Sequence, residues 1–140
     1  MAEAPRGPSN GGMSDLRSLA CTTLLLFLAP AAFAHARIIR SNPVKGAELA
    51  KPPEQIELWF NELLDAGFNS IEVFASAEIG LPKHPNLAKA KPQLDARDRT
   101  HLTVKLEPLA PGEYAVEWRV LSRDGHSAPG RFTFRILSAR

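Results

Sequence analysis

The chain has 140 residues, 17 Lys plus Arg against 15 Asp plus Glu, a net charge of +2 and one cysteine. So small a charge, spread along the chain, excludes the clustered basic footprint of a nucleic-acid binder, and no nucleic-acid partner is expected. A lone cysteine excludes a disulfide framework and a thiolate metal cage, so stability must come from packing.

At the amino terminus, Arg17 precedes an apolar run from Leu19 to Leu28, broken by Thr22 and Thr23. Pro30 and the small residues of Ala32-Phe33-Ala34 follow, completing an Ala-x-Ala cleavage pattern. This is the tripartite form of a secretory signal. The run is too short to span a bilayer, which takes about 20 apolar residues. Residues 1–34 are therefore expected to be a leader with a cleavable signal peptide, cut after Ala34, and residues 35–140 one exported domain, too short for two. A retained membrane anchor is the competing reading. Met13 offers a second start codon. Cys21 lies within the apolar run with most of it still to come, which argues against lipid attachment there.

The exported part reads as short strands. Ile56, Leu58 and Phe60 alternate with Glu57, Trp59 and Asn61; Ile71 and Val73 flank Glu72; Leu102, Val104 and Leu106 alternate with Thr103 and Lys105. Each has the period of two expected of a strand with one buried face. Tyr114, Val116, Trp118 and Val120 form the longest pattern, and Phe132, Phe134 and Ile136 its partner. Trp118 is expected in the core, whereas Trp59 falls on the face opposite Ile56 and Leu58. Prolines at 43, 52, 53, 108, 111 and 129 would break helices between these runs. The predicted fold class is all-β, an immunoglobulin-like antiparallel β-sandwich or Greek-key barrel. Leu63 to Phe68 is expected to be a helical turn or an irregular crossing, and residues 76–99 a long loop with weak strands.

Cleavage after Ala34 would leave a free amine beside the imidazole of His35. Far downstream stands Asp124-Gly125-His126, where Gly125 lets the backbone bend so that its two neighbours need not point to opposite faces. His84 and His101 are expected to be surface histidines outside any site. Asp124 and His126 with Ser122 or Ser127 do not make a hydrolase, since residues two apart provide no oriented relay and no nucleophile elbow surrounds either serine.

The segments His35-Ala36, Ser41-Asn42-Pro43, Ile56-Glu57-Leu58-Trp59-Phe60-Asn61-Glu62, Pro111-Gly112-Glu113-Tyr114, Val116 to Ser122, Asp124-Gly125-His126 and Gly130-Arg131-Phe132 resemble the CopC family of periplasmic copper-binding proteins. The resemblance covers nearly all of residues 35–140 and agrees with the strand pattern. It implies one Cu(II) per chain, held by the amine and imidazole of His35, the carboxylate of Asp124 and the imidazole of His126, with Glu62 in a supporting role beside the metal. An amine and imidazole on one residue close a chelate ring, and the nitrogen-rich set with one anionic oxygen suits Cu(II). The methionine-rich Cu(I) site of some family members is not expected, because the only methionines are Met1 and Met13.

The resemblance also implies a non-enzymatic, monomeric copper carrier or chaperone of the periplasm, serving copper homeostasis or resistance, with an inner-membrane copper transport protein as partner. The alternative is a copper-dependent monooxygenase-like enzyme using the same amino-terminal histidine brace. A metal-free interaction domain is the third class.

Overall fold

The computed structural model describes residues 35–139, together with Met1, Ala4 and Gly7. The expected signal peptide and its cleavage point therefore lie outside the described residues. Residues 35–139 lie in one compact unit.

Eight strands build it: β1 (Ile38–Asn42), β2 (Glu48–Leu49), β3 (Gln55–Phe60), β4 (Ser70–Ala75), β5 (Gln93–Leu94), β6 (His101–Lys105), β7 (Gly112–Leu121) and β8 (Ser127–Ile136). They form two four-stranded sheets, ordered β1-β3-β6-β5 and β2-β8-β7-β4. All pairs are antiparallel except β2 with β8, which run parallel. The fold is an all-β sandwich. The alternation seen in the sequence is what the sheets bury: Ile56, Leu58 and Phe60 of β3 meet Val73, Val116, Val120 and Phe134 of the facing sheet, all at most 1% exposed. Each such side chain removed from water contributes about 1.5–3 kcal/mol before entropy is counted.

Two details depart from expectation. β1 and β2 carry no alternating pattern, yet both form, because β3 and β8 each offer a free edge for pairing. Trp118 is only half-buried against the core; its indole lies across Gly130 on the paired strand, where a Cβ would come within 2.1 Å of the ring. The long connection contains, as expected, little regular structure: a 3-10 turn at Ser76–Glu78, the two-residue β5 and an isolated bridge from Ala88 to Leu106.

The stretch after β3 is an irregular crossing, and it positions the candidate site. Asn61 and Arg37 exchange hydrogen bonds: the Arg37 N–H donates to Asn61 Oδ1 at 2.6 Å, and the Asn61 N–H donates to the Arg37 carbonyl at 3.0 Å. Three residues on, Leu64 bridges to Ser122, the Asp65 N–H donates to the Leu121 carbonyl and the Arg123 N–H to the Leu63 carbonyl. One crossing thus ties the start of the domain to the turn between β7 and β8.

Candidate metal centre

Five residues, 122–126, join β7 to β8. The Gly125 N–H donates to the Ser122 carbonyl at 2.9 Å, and Gly125 takes φ +91°, a backbone region that favours glycine. The bend turns Asp124 and His126 to the same side, and His126 Nδ1 lies 3.1 Å from Asp124 Oδ2. The expected escape from strand alternation is what the turn delivers.

Asp124 is gripped by its other oxygen. The Ser122 hydroxyl, on a residue only 2% exposed, donates to Asp124 Oδ1, and the His126 backbone N–H donates to the same atom at 3.2 Å. These contacts hold the carboxyl at about 2, below its usual 3.8; the Ser122 hydroxyl contributes most, then the His126 side chain and N–H. Asp124 is therefore anionic at any physiological pH. Ser122 was not singled out by the sequence as part of a metal site; a serine two residues before a carboxylate in a turn is the available signal. Asn61, which fixes Arg37 two residues from His35, was likewise not assigned a role.

His35 is exposed, and its ring meets that of His126 edge-on, with centroids 6.1 Å apart. The structure thus brings His35, Asp124 and His126 to one end of the sandwich. Among the described residues no three His, Cys, Asp or Glu side chains are drawn together tightly enough to hold a metal outright. The amine of the expected donor set exists only in a chain that begins at His35. What is present fits a divalent ion in kind: two imidazoles, an ionised carboxylate and an open face, with the Asp124 and His126 side chains 55% and 46% exposed. Glu62, next to Asn61, is half-buried, and among the described residues no hydrogen bond or ion pair holds its carboxylate.

The other two histidines are not the solvated surface residues expected. His101 is 16% exposed, stacked on Trp59 at 4.2 Å with near-parallel planes, and it lies between Glu57 and Asp95. His84 stacks on the buried Phe74 at 3.8 Å, with Nε2 3.7 Å from Glu72. Aromatic faces cover both, so both are structural.

A family model for the CopC domain matches residues 38–137. Copper resistance protein C of Pseudomonas syringae pv. tomato is 32% identical over 111 residues, covering 79% of this chain and 87% of that protein. The copper transport protein CutJ of Bacillus subtilis (strain 168) is 34% identical over 116 residues, 82% of this chain but 20% of that longer protein. The crystal structure of CopC from Methylosinus trichosporium OB3b superposes with a TM-score of 0.65 at 25% identity, covering 76% of this chain and 97% of that one.

Proposed function

The chain belongs to the CopC family, and from that premise we propose that it is an exported, periplasmic carrier of one Cu(II) ion, bound by the amine and imidazole of His35, the Asp124 carboxylate and the His126 imidazole. The observation that carries this reading is the convergence of His35, Asp124 and His126 at one end of the sandwich, with Asp124 fixed in its ionised form. The amine and imidazole of one residue bind as a chelate, and the carboxylate offsets part of the metal charge. Glu62 stands near enough in sequence to the Asn61 clamp to orient the terminal amine or a bound water.

Copper is cargo here, not a reaction centre. Asp124 supplies an anionic ligand where oxygen chemistry would need an open position. Release by reduction follows from ligand softness: Cu(I) prefers thioether or thiolate donors, and residues 35–140 contain neither methionine nor cysteine. The softer donors of an acceptor would then draw the ion away. The likeness to CutJ, a copper transport protein in which the matched stretch is a fifth of the chain, supports a copper transport protein as that acceptor.

The test is a native mass spectrum of the exported protein with one equivalent of Cu(II). A mass beginning at His35 with one copper retained is the expected result, and a His35 terminus with no copper would overturn the proposal. Reductant-driven oxygen consumption with a polysaccharide present would favour the monooxygenase alternative instead.

A further inference from the structure

Beside the candidate metal centre a groove of about 600 Å³ runs between β1 and β8, beginning at Ala36 and Arg37. Trp118 and Phe132 form its floor, and Ile39 and Val44 stand on its lip with 69% and 66% of their surface exposed. Their exposure has a local cause. The register of β1 against β3 slips between Ile38 and Arg40, so Ile39 is the extra residue of a bulge, a device that re-aims a side chain. β1 pairs with β3 alone, so its other edge carries unpaired backbone groups. The groove's charge is one-sided: Arg37, Arg40, Lys45 and Arg131 line it, and no acidic residue does. Two of the four are engaged, Arg131 with Glu117 at 2.5 Å and Arg40 over the Trp59 ring at 3.8 Å. Arg37 and Lys45 are exposed, and among the described residues neither forms an ion pair.

We propose that this groove is where a copper-exchanging partner docks, by an extended acidic segment that lies along the edge of β1, places apolar side chains against Ile39, Val44 and Trp118, and sets carboxylates on Arg37 and Lys45. The identity of the partner as a copper protein rests on the function proposed above; the groove's preference for an acidic, apolar strand does not. Alternating side chains of an added strand meet both features at once, apolar on one face and acidic on the other. Docking here leaves His35, two residues from Arg37, next to the incoming chain, which a direct transfer of the ion requires.

The test titrates the isotope-labelled exported protein with two synthetic peptides, one alternating Val and Asp, the other Val and Lys, followed by amide and indole N–H shifts. Expected are saturable shifts at Ile39, Val44 and the Trp118 indole with the Asp peptide alone, weakened about tenfold by Lys45→Glu and by high salt. Lys45 and Val44 are exposed, so Lys45→Glu and Val44→Asp should fold and still bind one Cu(II). Equal shifts with the Lys peptide, a shift map away from the groove, or indifference to Lys45→Glu would each overturn the proposal. Measuring Cu(II) uptake by the same unsubstituted exported protein separates the two readings. Peptide binding in a protein that never takes up copper sinks the carrier and leaves the groove, whereas copper uptake without peptide binding sinks the groove alone.

Discussion

His126 and His101 are both close to carboxylates, yet they are built for opposite purposes. His126 sits on a five-residue turn, nearly half exposed, beside a carboxylate that Ser122 has already fixed. His101 begins a central strand with one face against Trp59, Glu57 3.4 Å from one nitrogen and Asp95 3.7 Å from the other. A metal needs a lone pair aimed into open space, and His101 faces a carboxylate from each nitrogen. Under the proposed copper reading, proximity of histidine and aspartate is a poor guide to ligation, and the discriminating quantities are exposure of the imidazole and what covers its face.

The comparison breaks most sharply if copper ignores it. His126→Ala, or one extra residue ahead of His35 that turns its amine into an amide, is expected to lower Cu(II) affinity by at least about a hundredfold, since losing even an outer partner costs 10–100-fold. His101→Ala should leave affinity unchanged in the same competition titration with a chromophoric chelator. A reversed order of the two effects would move the site to the face of the first sheet. Next in size is Ser122→Ala, which frees Asp124 and should weaken Cu(II) about tenfold. His101→Ala should instead lower stability by about 1 kcal/mol, the worth of one aromatic stack, seen as an earlier urea midpoint; the Ser122 variant probes the turn, and this one the sheet.

The sequence showed this division unevenly. Strands with strict alternation, β3, β6 and the β7–β8 pair, were legible because burial of one face leaves a period of two. Trp59 was legible as off the core face for the same reason. β1 and β2 were not, because a strand that exists by completing another strand's edge needs no alternation of its own. The joining of Asp124 and His126 could be read from Gly125, whose left-handed conformation is written in the residue type. That His101 is covered could not be read: its Trp59 partner lies 42 positions away, opposite it across the β3–β6 register. The clamp of Asn61 on Arg37 is likewise a long-range match between a side-chain amide and a backbone, without any local pattern.

The smallest effect separates the two regions by pH. Asp124 is held at about 2 against an ordinary 3.8, so its turn contacts stabilise the native state above the usual carboxylate range and are lost as pH falls toward 2. Carboxyl-carbon NMR of the metal-free protein should give Asp124 a midpoint near 2, and Ser122→Ala should raise it, because the hydroxyl is the largest cause of the depression. A midpoint at 3.8 in the unsubstituted protein would mean that the turn does not hold the carboxylate ready. Copper affinity should nevertheless fall between pH 7.5 and 5. The carboxylate stays ionised throughout that window, so the loss must come from protons competing with the metal for the imidazole and amine nitrogens. Equal affinity at both pH values would remove those nitrogens from the ligand set and leave an oxygen site, in which the exposure that distinguishes His126 from His101 would have nothing to do with copper.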